Sequence, residues 1–198
     1  IMSVDDFADL DSVEAMEEFD YIIVGAGSAG CVLAARLAER SNVTVCLLEA
    51  GPWDHNALVH IPVGWMKLMR NSKINWLYET EPSESTGGRK IGVPRGKVIS
   101  GSSSINGNVF NRGAPTDFDH WAQLGNQGWS YDDILPLFRR METWLPEAET
   151  VFRGKTGPLR VTPSDWTHPL CEAFLDSAES IGMPRNLDYN GASQFGAS

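Results

Sequence analysis

The sequence predicts an α/β chain whose first folded unit is a parallel βαβ, and three observations predict it. A short apolar run, YIIV, ends in a glycine turn at residues 25–30. Apolar Val32, Leu33, Leu37 and Ala38 then recur at helical spacing beside Arg36, Glu39 and Arg40. After Ser41 and Asn42, the run VTVCLLEAG has strand length and ends in an acid. Two strands joined through a helix lie parallel, by a right-handed crossover.

Ahead of this unit stands an acidic leader, residues 1–19. With Asp20 it holds Asp5, Asp6, Asp9, Asp11, Glu14, Glu17 and Glu18 and no Lys or Arg, in a chain of 198 residues with net charge -10. Such a segment is expected to be a solvated tail or a short surface helix, the alternative being a docking arm for a basic partner. The same sign of charge disfavours nucleic acid, whose phosphates need Lys and Arg. No run approaches the ~18 apolar residues of a membrane span, and the N-terminus lacks the basic and apolar regions of a secretion signal. The expectation is a soluble, cytoplasmic protein with no membrane span. Cys31, Cys46 and Cys171 are an odd number without CxxC spacing, which gives neither a disulfide framework nor a zinc site and predicts buried thiols in a reducing compartment. His55, His60, His120 and His168 form no HxxxH or HExxH pair, so no metal centre is expected.

Beyond the βαβ unit, residues 51–95 show little sustained periodicity and read as long connections with short helical or extended pieces, NWLYETEP among them. A polar stretch follows, GKVISGSSSINGNVF, in which Ser102, Ser103 and Ser104 stand among glycines and asparagines. APTDFDHWAQLG is expected to be a helix capped by Thr116 with Asp119 and stopped at Gly125. SYDDILPLFRRME is a second, opened by Ser130 with Asp133 and bent at Pro136. GPLRVTP reads as a strand. HPLCEAFLDSAESIG reads as a helix with Leu170, Phe174, Leu175, Ala178 and Ile181 on one face and Gly182 at its end.

Gly25-Ala26-Gly27-Ser28-Ala29-Gly30 is GxGxxG, a weak pattern by itself. Here a strand precedes it, a helix follows, and Glu49 ends the next strand, which is the context a Rossmann-like dinucleotide site requires. Gly25 allows the tight turn, Gly27 removes a side chain where a pyrophosphate approaches, and Gly30 lets helix and strand pack closely. Glu49 can accept from ribose hydroxyls and would repel a 2'-phosphate, which disfavours NADP. The motif does not separate FAD from NAD, since both carry the same ADP half.

Taken together, DYIIVGAGSAGCVLAARLAE, LLEAG, GKVISGSSSINGNVFNRGAPTDFDHW and GPLRVTPSD resemble the glucose-methanol-choline (GMC) family of FAD-dependent oxidoreductases, nearest its choline dehydrogenase-like and primary-alcohol oxidase branches. Gly96, Lys97, Ile99, Gly101, Ser102, Ser103, Ile105, Asn106, Phe110, Gly113 and Asp119 fit the second family signature. Ser100 departs from it, standing where the family usually has the first glycine of a pair. The resemblance covers about residues 20–198. It implies a Rossmann-like FAD-binding domain, incomplete here, over residues 20–155 with an FAD-covering segment, and the start of a substrate-binding domain over 156–198.

What else it implies is specific. FAD would lie extended, its ADP end on the glycine turn and Glu49, its flavin end by the serine-rich stretch. Ser28, Ala29, Glu49, Trp76, Val98, Ser102, Asn106, Gly107, Asn108 and Val109 are the contact candidates it carries over. Where some members attach FAD through a His just before the Asn, this chain has Ile105, so the flavin is expected to be noncovalent. The implied reaction is oxidation of a primary alcohol to an aldehyde by hydride transfer to flavin N5, with O2 or a quinone as electron acceptor. The base in this family is a His from the far C-terminal part of a longer chain. None of the four histidines matches it, so no catalytic residue is assigned and the chain is expected to be an N-terminal fragment of poor autonomous stability, the alternative being a natural short form. The fold also hosts hydroxynitrile lyases and fatty-acid photodecarboxylases. A non-catalytic nucleotide-binding module and an NAD-linked dehydrogenase complete the alternatives.

Overall fold

The computed structural model describes residues 2–3, 18–146, 151–164 and 167–198. They form two compact units, Ile1–Val109 and Phe110–Ser198. Compactness sets that division, a different criterion from the ligand-based boundary at 155/156.

In the first unit, strand β2 (Tyr21–Val24), helix α1 (Ser28–Ala38) and strand β3 (Val45–Glu49) make the expected βαβ. The strands are parallel with Tyr21 opposite Val45 and Val24 opposite Leu48, and Gly25 N–H continues the ladder to the Leu48 carbonyl at 2.8 Å. Strand β1 (Met2–Ser3) lies parallel on the other edge of β3, giving the sheet order β1-β3-β2. The first residues of the leader are therefore strand, which corrects the expectation of a tail or surface helix; residues 4–17 lie outside the described residues.

Between β3 and the serine-rich stretch come short pieces: helix α2 (Trp65–Leu68) and a two-residue antiparallel pair, β4 (Tyr78–Glu79) with β5 (Gly92–Val93). Leu68, Ile74, Val98 and Ile105 form the core of this part, with Leu58 and Val59 packed on it. Two of the four come from the serine-rich stretch itself. Burying an aliphatic side chain is worth about 1.5–3 kcal/mol, so Val98 and Ile105 anchor a segment otherwise rich in serine, asparagine and glycine.

In the second unit, helices α3 (Pro115–Gln123) and α4 (Tyr131–Met141) run into β6 (Glu142–Trp144), which pairs in parallel with β7 (Leu159–Val161). Ser130 caps α4 by accepting from Asp133 N–H, and Pro136 lies inside the helix, as expected. Helix α3 differs from expectation. Pro115 occupies its first position, so Ala114 is the N-cap and Asp117 accepts the Ala114 N–H at 3.1 Å. Proline's fixed φ selects the first turn, which overrides a Thr116–Asp119 box; Asp119 instead accepts from Tyr131 N–H at 2.9 Å. Phe118 packs edge-on against Trp121 and Phe138 between the two helices. Helix α5 (Pro169–Ser180) forms as read and Gly182 follows at φ +88°. Of its apolar face only Ala178 is buried, while Leu170, Phe174 and Ile181 are exposed.

Candidate dinucleotide site

The turn after β2 makes three different demands, one on each glycine. Gly25 has φ +94°, a conformation that L side chains rarely adopt. Gly27 faces open space: a Cβ there would meet nothing within 4 Å. A Cβ on Gly30 would lie 1.9 Å from the Gly25 carbonyl oxygen, so only glycine lets α1 begin this close to the end of β2.

Helix α1 opens at Gly27 with no side-chain cap, and its first N–H-to-carbonyl bond is Cys31 to Gly27 at 2.9 Å. The N–H groups of Ser28, Ala29 and Gly30 precede that bond. With the helix dipole they favour an anion beside the open face of Gly27.

Glu49, at the end of β3, is 8% exposed, and both carboxylate oxygens hold backbone. One accepts the Ala26 N–H at 2.7 Å and the other the Gly51 N–H at 2.9 Å. A carboxylate oxygen has two acceptor positions, so each keeps one for an outside donor. Glu49 thus fixes the glycine turn from behind as well as offering acceptors. The turn also needs Gly51, where a Cβ would lie 2.1 Å from the Lys97 carbonyl group.

The serine-rich stretch closes onto this same turn. Ser100 N–H donates to the Ala26 carbonyl at 2.7 Å, and Gly27 and Ser100 form a parallel bridge. The Ser103 hydroxyl donates to the Ser100 carbonyl at 2.6 Å and lies 2.6 Å from the Ser28 hydroxyl. Two motifs more than 70 residues apart are therefore joined through short hydroxyls and backbone. Ser100 has φ +69°, which explains the glycine the family usually places there: the position requires a left-handed backbone.

The remaining candidates follow along the stretch. Ser102 lies in a 3-10 turn, Gly101–Ser104, and its hydroxyl accepts the Gly96 N–H at 3.1 Å. Asn106, Gly107, Asn108 and Val109 are exposed. The Asn106 side chain accepts the Asn108 N–H at 2.9 Å, stabilising the turn in which Asn108 has φ +59°. Val98 is fully buried, packed in the core with Leu68, Ile74 and Ile105. Trp76 is half-exposed, stacked on Tyr78, with the Lys97 ammonium 4.8 Å from its ring centre. The bonds Trp76 N–H to Arg95 and Lys97 N–H to Ile74 bring it alongside the stretch.

Sequence reasoning missed Ala26, Gly51 and Ser103 as parts of the site. Gly51 and Ser103 stand in quoted motifs, but their roles depend on backbone contacts that no residue type announces. Among the described residues, no group of His, Cys, Asp and Glu is placed to hold a metal, and no helix is long and apolar enough to cross a membrane.

Comparison with known proteins gives the same family at three levels. Residues 19–198 match the GMC oxidoreductase family. An oxygen-dependent choline dehydrogenase of Vibrio vulnificus is 45% identical over 182 residues, 91% of this chain and 32% of that protein. A second, of Sinorhizobium fredii, is 45% identical over 177 residues, 89% of this chain and 32% of that protein. The crystal structure of pyridoxine 4-oxidase from Mesorbium loti superposes with TM-score 0.82 at 38% identity, covering 88% of this chain and 34% of that one. A formate oxidase of Aspergillus oryzae gives 0.75 at 33% identity, covering 86% and 32%. The chain thus spans about a third of the length of these relatives. A glycine-turned strand-turn-helix, a second motif locked onto it, and a match over nearly every residue place this chain in the GMC oxidoreductase family.

Proposed function

We propose that this chain is the nucleotide-holding part of an enzyme that binds FAD noncovalently and oxidises a primary alcohol to an aldehyde. The observation that carries the reading is the uncapped start of α1 facing the open side of Gly27, with Glu49 behind it. The site fits the cofactor's ADP half: donors for a pyrophosphate at Ser28, Ala29 and Gly30, and acceptors for ribose hydroxyls at Glu49. When bound, FAD would supply the hydride acceptor, its N5, for alcohol oxidation.

This chain's residues bind and orient. Each polar group of an extended ligand costs free energy if it is desolvated without a partner. The serines, glycines and asparagines between residues 100 and 108 leave backbone groups free to meet that need. Ser102, Asn106, Gly107, Asn108 and Val109 serve the flavin end, and Trp76 flanks it. Ile105 is 3% exposed and a hydrocarbon, so it offers no nucleophile for covalent attachment. Residues 20–155 serve the cofactor and 156–198 open the substrate side, with the leader outside both. No base is assigned to this chain; O2 or a quinone takes the electrons.

The longer protein that carries these residues is the material for the test. It is expected to purify yellow, to release its flavin into the supernatant on acid precipitation, and to bleach when choline or another primary alcohol is added anaerobically. Colourless folded protein overturns the cofactor assignment. Flavin retained in the precipitate overturns the noncovalent one. Colour without bleaching across a panel of alcohols favours the lyase or photochemical relatives.

A further inference from the structure

We propose that Ser103 is a positioning residue for the anion-binding start of α1, and that the Ser28 hydroxyl serves this pairing rather than the ligand; the inference rests on the FAD reading above. A serine hydroxyl carries one proton and two lone pairs. The Ser100 carbonyl has no proton to give, so its 2.6 Å contact with the Ser103 hydroxyl is a hydrogen bond only if Ser103 donates. With that proton committed, the 2.6 Å contact between the two hydroxyls is a bond only if Ser28 donates to Ser103. The donors therefore run from Ser28 to Ser103 to the Ser100 carbonyl. Ser28 also lies 3.5 Å from that carbonyl, a weaker second direction for the same proton.

This assignment gives Ser28 two separate tasks. Its hydroxyl keeps only lone pairs, which a phosphate oxygen, itself an acceptor, does not bind. Its N–H belongs to the first turn of α1 and is a donor without an intrahelical partner. A phosphate at this helix start is therefore held by main chain, and the Ser28 side chain holds that main chain in place. The neighbouring restraints stop at the N-cap: Glu49 and the Ser100 N–H fix Ala26, and a Cβ on Gly101 would come within 2.9 Å of the Gly27 Cα. The bond between the serines carries the restraint one residue further, from the 3-10 turn Gly101–Ser104 onto the first residue of α1. Both serines are exposed, so packing does not force them together, and alanine at either leaves no cavity. All of these residues belong to the first unit. A donor already aimed costs no ordering when the anion arrives.

The test uses the FAD-loaded full-length protein with S28A, S103A, the double variant and S103T. FAD affinity is read by flavin fluorescence, and the bound pyrophosphate is read directly by phosphorus NMR. Loss of one neutral hydrogen bond sets the scale: each alanine variant should weaken FAD binding by about threefold to tenfold and move the phosphorus resonances. The double variant should be no weaker than either single one, because the same bond is lost once. S103T keeps the hydroxyl and should match the wild type. Wild-type affinity or unmoved phosphorus resonances in S103A overturn the proposal, whatever S28A does. Additive losses in the double variant overturn it too, since the Ser28 hydroxyl would then contact the ligand by itself. So does S103T as defective as S103A, or S103A unfolded by far-ultraviolet circular dichroism, which would make Ser103 a residue of the fold alone. A colourless wild type would instead remove the FAD reading beneath it.

Discussion

Ser100 holds a left-handed backbone, and the bonds it makes in the described structure use its N–H and carbonyl. An L residue there costs about 1–2 kcal/mol over glycine, part of which glycine returns through its looser unfolded chain. S100G is therefore expected to stabilise the protein by about 1 kcal/mol, read as a Tm rise of about 2–4 °C. Glu49 gives the opposite case. Its two oxygens accept from Ala26 and Gly51, and E49Q would turn an NH2 towards one of those donors. A loss of about 1–3 kcal/mol is expected, together with weaker FAD binding in a fluorescence titration; unchanged affinity would refute the ribose role. The glycine roles were legible because each glycine leaves a mark in the motif. The second task of Glu49 was not, since its partners are main-chain groups.

The two strands of the βαβ element are clipped at their start. Asp20 accepts the Thr44 N–H at 2.7 Å and the Thr44 hydroxyl at 2.9 Å, and its own N–H donates to that hydroxyl at 3.0 Å. The bond from the Thr44 backbone, then that from its hydroxyl, holds the Asp20 carboxyl below its ordinary range. A lowered carboxyl pKa in the folded state means stabilisation that is present above the unfolded value and fades as pH falls through the folded one. D20N removes the titration while keeping an acceptor. Its urea midpoint should fall less steeply than the wild type's from about pH 4 downward; parallel curves would show that the clip contributes nothing. Helices and strands of this kind were readable from period and caps. The exact start of α3 was not, because Pro115 and the Thr116–Asp119 pattern make competing claims and proline's rigid φ prevails.

Over the whole chain, each unit leaves apolar surface uncovered. Ile22 and Val24 on β2 are 62% and 83% exposed, with Val32 and Leu33 on α1 also open. The second unit shows Leu170, Phe174 and Ile181 on α5. Such patches are characteristic of surfaces that pack against something else or associate. The 198-residue polypeptide expressed by itself is expected to bind a hydrophobic dye strongly and to unfold broadly; one sharp cooperative transition with stoichiometric FAD would contradict this. Periodicity shows that a face is apolar, and it is silent about what lies opposite, which is why the α5 face was read correctly and its exposure was not. The hydroxyl latch between Ser28 and Ser103 has a further consequence, for the order of assembly. Its halves are 75 positions apart, so closing it demands a long excursion of the chain, whereas α1 can form from neighbours alone. After dilution from denaturant with FAD present, far-ultraviolet ellipticity should therefore recover first and flavin fluorescence quenching later, the lag marking the moment at which the distant serines find the turn.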